Sequence, residues 1–506
     1  MIKQKGSDQT PMKRTSGKVK PNRVFAQSDT QQKFKFANLT ISIVFFLALF
    51  ASAQNHPNTQ SLDGFWLTDG YGELLEFKGN DLEIYDITKL SCISSEKASR
   101  KVQAGTADEI IFAADGDMFH FAPGPTRDTF WLHEGGTVWN VLLRRVHSRP
   151  KPCDQPLADT PLTNYDVFWE TFAEQYAFFG LHKVNWRTVD KKFRPQVTPE
   201  TTPEELLAIF KGMVEPLHDK HVYIYAPSLH NGFRGKRTTA NTLQNEDIPR
   251  TFEIIRTKYV LGDLRYFCNG QLQFGMLRLQ REPDPERNEQ AGSVAYLRIY
   301  SFAHYSKDED FQKQLAALDT ALDEIFKDTS RWRGLVIDIR INIGGDDQLG
   351  LAIASRLTNH DYLAWQGEVH DDIHDPDHHT APQPIMVHFG QRRGFRGPVV
   401  LLTSPYTMSG GETFTLALLG RVPHVIRIGT NTQGVFSDEL SRTLPNGWRF
   451  ALSNEIYLTK DGKTFEGTGV PPDIEVPTFP KGDLAGGRDS ALDRALEVLA
   501  HSLVSW

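Results

Sequence analysis

Between residues 62 and 146, short apolar segments alternate with Gly, Asp and Asn turns: GFWLTDGYGELLEFKGNDLEIYDI, then DEIIFAADGDMFHFAP and DTFWLHEGGTVWNVLLRRV. Strand-like runs rich in Phe, Trp, Tyr and Ile at this spacing predict a small antiparallel β domain over 60–147, a barrel or a sandwich. The Pro-rich stretch 148–162 reads as a linker. Apolar positions then fall at helical spacing in YDVFWETFAEQYAFF (165–179) and PEELLAIFKGMVEPL (203–217), the second opened by Thr202 as cap and Pro203 in the first turn. These predict a helical subdomain over 163–228 that passes to a strand at His221, where the period shifts toward two. Residues 229–292 hold strand-like pieces, TFEIIRTKYV and QLQFGMLRLQ, between charged turns.

From Ser293 the pattern becomes βα alternation. VAYLRIYSF reads as a strand, and the next segment sets Phe311, Leu315, Leu318, Leu322 and Ile325 on one helical face. GLVIDIR (334–340) is a buried strand, followed by a glycine loop and the helix QLGLAIASRL. After a long insertion come the strand VVLLT, a second glycine turn, the helix TFTLALLG and the strand HVIRIG, with hairpin signals at Asn446-Gly447 and Asp461-Gly462. The alternation predicts an α/β core over 240–480, closed by a C-terminal helix within 481–506. Both glycine loops sit at the carboxyl ends of strands, where open α/β sheets place their ligands.

Length and charge narrow the class. The chain has 506 residues, 39% of them hydrophobic and 24% charged, which suits a globular protein of two to four domains. A net charge of −7, with basic residues massed on no folded segment, argues against a nucleic-acid partner. The first 36 residues form a basic, polar leader that runs into LTISIVFFLALFASA (39–53). That apolar run is shorter than the ~20 residues a membrane span needs, and it ends in Ala51-Ser52-Ala53. Residues 1–53 therefore read as a leader and export signal cleaved after Ala53, giving a periplasmic or secreted product; the other reading, an uncleaved anchor, is the one route to membrane contact. Of the three cysteines, Cys92 and Cys153 could pair and Cys268 could be a buried thiol, but sequence does not fix the pairing, and no metal-ligand spacing is present.

Two glycine loops carry the candidate chemistry. In SPYTMSGGETF (404–414), Ser409-x-x-Glu412 ahead of an apolar run has the form of a helix capping box. The same residues suit a nucleophile on a strand-to-helix turn, with Gly410 and Gly411 letting substrate approach and the helix N-terminus supplying N–H donors. In INIGGDD (341–347), Gly344 and Gly345 are either a tight βα turn or N–H donors for a developing oxyanion. Two polar insertions, HDDIHDPDHH (370–379) and QRRGFRG with Arg392, Arg393 and Arg396, read as solvated loops.

The succession DIRINIGG, TSPYTMSGGE, GTNTQG and FEGTGVPPDIEV resembles the C-terminal processing (tail-specific) serine peptidases and their tricorn-core relatives, over residues 166–499. The resemblance implies a crotonase-like ββα core and a nucleophile at Ser409, three residues before Glu412. The tail-specific branch takes its base from a lysine after the glycine of GTNTQG, and this chain has Val435 there. The tricorn-like branch uses a histidine and a glutamate, which map onto His221, in Asp219-Lys220-His221, and Glu466; Lys220 replaces the serine that adjoins that histidine. Together these imply an exported serine peptidase with Ser409, His221 and Glu466 as catalytic residues and oxyanion donors near Gly344, Gly345 and Gly410. It would act on peptide or protein substrates with no cofactor and no metal, and no PDZ-like module fits between His221 and the core. Two other readings stand beside it: an inactive relative that binds peptides or apolar ligands, and a crotonase-type acyl-thioester enzyme, which export disfavours.

Overall fold

Strand alternation in the N-terminal segment closes into a barrel rather than a sandwich. In the computed structural model, which describes residues 61–101, 110–114, 117–237, 247–278, 293–308, 310–370 and 378–501, eight antiparallel strands form it. They are β1 Gly64–Thr68, β2 Glu73–Lys78, β3 Asp81–Ile87, β4 Cys92–Arg100, β5 Ile110–Ala114, β6 Asp117–Pro123, β7 Thr129–Glu134 and β8 Val141–Val146, with β1 paired to both β2 and β8. Inward-facing Trp66, Phe77, Phe112, Phe121 and Phe130 fill the interior, and Phe77 meets Phe112 and Phe121 edge-on. Cys92 on β4 is disulfide-bonded to Cys153, within the linker, while Cys268 is a buried free thiol whose pKa burial pushes up to about 12. The expected leader and export signal, residues 1–53, lie outside the described residues.

The helical segment holds Pro161–Gln175, capped by the Thr160 side chain, and Pro203–Val214, opened by a capping box of Thr202 and Glu205. Their apolar faces meet through Phe168 and Phe210, stacked at 4.2 Å, and close over Phe450. His221 follows on a turn that leads into β9 Tyr223–Ala226, which pairs with β10 Asn231–Arg234. The strand-like reading of TFEIIRTKYV is corrected: Asp247–Ile254 is α-helical and Ile255–Tyr259 a π-turn. Thr251, Ile254, Ile255 and Tyr259 are buried together, so tertiary packing overrides the β-branched propensity.

The core sheet has seven strands in the order β11 Val260–Phe267, β12 Leu272–Leu277, β13 Ser293–Ile299, β14 Trp332–Asp338, β17 Val399–Thr403, β18 Ile426–Gly429 and β22 Ile474–Glu475, parallel from β13 onward. Period two sorts its side chains. Leu335, Ile337, Val399 and Leu401 pack under the helices Phe311–Ile325, Asp347–Ser355 and Gly410–Leu419; Val336, Val400 and Leu402 pack against Ser490–His501 on the other face. Burial on both faces explains the uninterrupted apolar runs of β14 and β17.

The long insertion carries β15 Tyr362–Val369 and β16 Gln383–Val387, while β19 Glu439–Thr443, β20 Arg449–Ser453 and β21 Glu455–Leu458 complete two smaller sheets. Asn446-Gly447 does join the hairpin β19–β20, but Asp461-Gly462 closes only a turn, through Thr459 and Lys463. The insertion is less solvated than its composition suggests: His370 is buried with Nδ1 2.8 Å from the Glu174 carbonyl, and residues 371–377 lie outside the described residues. Arg392 pairs with Asp319 and Asp323 and so ties its loop to the helix Phe311–Ile325.

Candidate active site

The parallel neighbours β14 and β17 deliver their following loops to one place. Arg340, fully buried after β14, is fixed by Asp338 and by Asp489 at the start of the C-terminal helix, and the guanidinium holds the Asp338 carboxyl below its ordinary range. The second loop is then pinned to the first. Thr407 Oγ1 donates to the Ile339 carbonyl at 2.7 Å and Met408 N–H to the Asn342 carbonyl at 3.1 Å. Ser409 comes next, with φ 51° and ψ −127°, a conformation that costs a non-glycine residue of order 1–3 kcal/mol and persists only where the surroundings impose it.

That geometry removes the capping box. The Ser409 side chain makes no cap hydrogen bond, and its N–H donates to the Val435 carbonyl at 3.0 Å. Glu412, fully buried, turns away from the helix start and accepts N–H groups from Gly434 at 2.6 Å and Val435 at 2.7 Å. Burial raises its carboxyl to about 7 against these hydrogen bonds. Glu412 thus anchors the loop that holds the Ser409 backbone, a role the capping-box pattern conceals. Val435 is itself buried, with no titratable group.

The glycine loops meet at Ser409. A Cβ on Gly344 would lie 2.7 Å from Ser409 Cβ and 3.1 Å from Oγ, and one on Gly410 would lie 2.4 Å from the Gly345 carbonyl oxygen. Both positions must be glycine for the loops to approach this closely. The Gly344 N–H is committed to Asn342 Oδ1 at 2.9 Å, whereas those of Gly345 and Gly410 make no hydrogen bond among the described residues. Asn342 was not singled out in the sequence, yet it shapes this loop through both its amide atoms, Nδ2 reaching the Ile299 carbonyl at 3.1 Å.

His221 sits on the neighbouring turn, 4% exposed, with its N–H on Asp219 Oδ1 at 2.9 Å. Asp219 Oδ2 accepts the Tyr176 hydroxyl at 3.0 Å, so the carboxylate shapes the turn. Lys220 reaches the serine loop directly: its Nζ lies 3.0 Å from Met408 Sδ, and burial lowers its pKa. Among the described residues no hydrogen bond joins His221 to Ser409 or to Glu466, and His221 Nδ1 is buried without a partner. Glu466 accepts the N–H groups of Phe436 at 2.8 Å and Ser437 at 3.4 Å; burial first, then Asp219, pushes its carboxyl well up.

An acidic cluster adjoins these loops. Asp347 accepts the Thr413 hydroxyl, Glu455 accepts those of Tyr71 and Tyr457, and burial raises both carboxyls to about 8. Tyr71 lies in the β1–β2 turn, so the barrel domain contributes to this cluster. Asp438, an exposed carboxylate, lies near this cluster, and its charge adds to the burial that raises both carboxyls. Among the described residues no group of three or more His, Cys, Asp or Glu is placed to hold a metal.

Comparisons with known proteins agree with this arrangement of loops. Residues 293–476 match the model of peptidase family S41, and residues 158–215 match the tricorn protease C1 domain. The chain is 27% identical over 221 residues to the tricorn protease of Thermoplasma acidophilum, covering 42% of this chain and 17% of that one. It is 23% identical over 248 residues to the carboxy-terminal-processing protease of Bartonella bacilliformis, covering 48% and 52%. The chain therefore spans about half or less of the curated relatives it matches. A solved structure from Parabacteroides merdae superposes with TM-score 0.50 at 22% identity, over 68% of this chain and 97% of that one, and supports the fold. The segment 293–476, which carries both glycine loops on the core sheet, thus matches peptidase family S41, a family of serine peptidases, and the helical segment ahead of it matches the tricorn C1 domain.

Proposed function

We propose that the chain is an exported peptidase that cleaves peptide bonds with Ser409 as nucleophile and His221 as general base and then acid. Glu466, buried and held by the N–H groups of Phe436 and Ser437, orients the imidazole, and N–H groups of Gly345 and Gly410 receive the oxyanion. The observation that carries the reading is Ser409 itself: a strained, half-buried serine with Oγ against the Gly344-Gly345 loop and no cap bond to occupy it. A serine hydroxyl needs a base to attack at neutral pH, and the buried imidazole of His221 is linked to the same loop through Lys220 and Met408. The committed Gly344 N–H narrows the expected oxyanion donors from three glycines to two.

The Cys92–Cys153 disulfide suits an oxidising compartment and so supports export to the periplasm or beyond. The domain limits 60–147, 163–228, 240–480 and 481–506 follow as part of the same proposal. A fluorophosphonate probe tests the chemistry: the mature chain should label at Ser409, and Ser409→Ala should abolish labelling and peptide hydrolysis while remaining folded. Continued hydrolysis by the alanine variant would overturn the assignment. A folded wild-type chain that neither labels nor cleaves a peptide library would favour the peptide-binding reading, to which Val435 and Lys220 lend weight.

A further inference from the structure

The two ends of the β9–β10 hairpin meet beside the serine turn. Gly235 N–H donates to the Val222 carbonyl at 2.8 Å and Arg234 Nη1 to the Lys220 carbonyl at 3.2 Å, so the residues entering the hairpin lie against those leaving it. The approach is close: a Cβ on Gly235 would fall 1.7 Å from the Asp219 carbonyl oxygen. Each end sends one cation to the core. Lys220 Nζ lies 3.0 Å from Met408 Sδ, and Arg237 Nη1 donates to the Gly434 carbonyl. Met408 and Gly434 belong to segments that run side by side, since Gln433 N–H donates to the Thr407 carbonyl at 2.9 Å and Ser409 N–H to the Val435 carbonyl at 3.0 Å. Lys220 and Arg237 are thus each held one residue away from the hydrogen bond that fixes Ser409.

Neither cation has a counter-charge among the described residues. Both are half-buried, and their partners are a thioether, which is a weak acceptor, and one peptide carbonyl. Lys and Arg removed from water are ordinarily paired with an acid. The acids of this region are engaged elsewhere. Glu412 holds the N–H groups of Gly434 and Val435, Asp219 holds the His221 N–H and the Tyr176 hydroxyl, and Glu439 pairs with Arg234. A guanidinium with unspent N–H donors and an ammonium therefore stand together at the nucleophile, and a carboxylate is the group that both would bind.

We propose that Lys220 and Arg237 form a carboxylate subsite, and that the chain selects peptides carrying a carboxylate next to the scissile bond, from an acidic side chain or from the chain terminus. Its place in the reaction rests on the reading of Ser409 as nucleophile; its binding chemistry does not.

The test compares peptides of one sequence with Glu, Gln or Lys at each position flanking the scissile bond. All are amidated at the C-terminus, and the Gln series is also made with a free terminal carboxylate. Cleavage is measured as kcat/KM on the folded mature chain, and binding to the Ser409→Ala chain by calorimetry. A carboxylate-bearing peptide should be favoured over its neutral Gln counterpart by at least about tenfold in both, with Lys the poorest and the preference shrinking as salt is added. Preference for Glu in amidated peptides assigns the carboxylate to a side chain; preference confined to free-terminus peptides assigns it to the chain end. Arg237→Gln and Lys220→Met should each lower the ratio, Arg237→Lys should keep most of it, and Arg237→Glu should shift the choice toward Lys. Because each ratio is taken within one variant, a general loss of activity does not imitate the result. Equal handling of all carboxylate-bearing and neutral peptides by the wild type, or a preference that survives Arg237→Gln combined with Lys220→Met, would overturn the proposal. If the wild-type chain cleaves none of them, the peptidase reading fails on its own, and binding to Ser409→Ala still decides the subsite.

Discussion

Removing Glu412 should loosen the nucleophile turn more than any surface change could. In Glu412→Ala, the N–H groups of Gly434 and Val435 lose their acceptor in a position water does not reach, since Glu412 is fully buried. Each orphaned buried donor costs about 1–3 kcal/mol, which gives about 2–6 kcal/mol for the pair. The loss also travels: the Val435 carbonyl holds the Ser409 N–H, so the positive φ of Ser409 loses its support. Urea unfolding at pH 8 should show this as a lower midpoint at unchanged slope, and fluorophosphonate labelling should fall at least tenfold. Glu412→Gln tests the charge separately. Burial raises the Glu412 carboxyl to about 7, above its unfolded value, so its stabilisation is present below about pH 4.5 and fades as pH rises toward 7. Stability of the wild type relative to Glu412→Gln should therefore decline over that window. An alanine variant within about 0.5 kcal/mol of wild type that labels at the normal rate would refute the anchoring role of Glu412.

Other expectations follow from the same geometry. Gly410→Ala drives a Cβ into the Gly345 carbonyl and should cut labelling more than tenfold, whereas Gly447→Ala, which meets nothing within 4 Å, should spare it; equal effects on labelling would count against the loop contact. Replacing Cys92 and Cys153 by serine releases a closure of 61 residues and should cost about 4 kcal/mol in urea unfolding, unless reduction of the native chain leaves its midpoint unchanged. Asp347 and Glu455, raised to about 8 by burial, stabilise the fold below about pH 4 and progressively less up to pH 8; thermal midpoints should fall over that range, and Asp347→Asn with Glu455→Gln should flatten the fall.

What was legible depended on how local its cause was. The capped helices at Thr160 and Thr202, the barrel strands and the alternating faces of β14 and β17 come from period and capping chemistry within a dozen residues. The helix Asp247–Ile254 misled because its β-branched and aromatic composition favours a strand, while its partners, the helices at Lys481–Gly486 and Ser490–His501, lie more than 200 positions away. His370 misled in the same way: acidic and proline-rich neighbours hide a ring whose burial is set by Glu174, 196 residues earlier.

The site divides along the same line. Ser409 and the paired glycines could be singled out because a strand, a small-residue turn and a helix follow one another in sequence, and the turn itself carries the chemistry. Glu412 could be seen only as a cap, since the strand-to-helix pattern does not reveal that Ser409 adopts positive φ and leaves the N-cap bond unmade. The choice of carboxylate is more remote still. His221 and Glu466 lie on segments far apart in the chain, and nothing in their local sequence says how the carboxylate stands to the ring. Glu466 accepts the N–H groups of Phe436 and Ser437, and His221 Nδ1 is buried without a hydrogen-bond partner among the described residues. Residue type and spacing can therefore nominate a catalytic carboxylate, but the hydrogen-bond commitments of its neighbours decide which one is available.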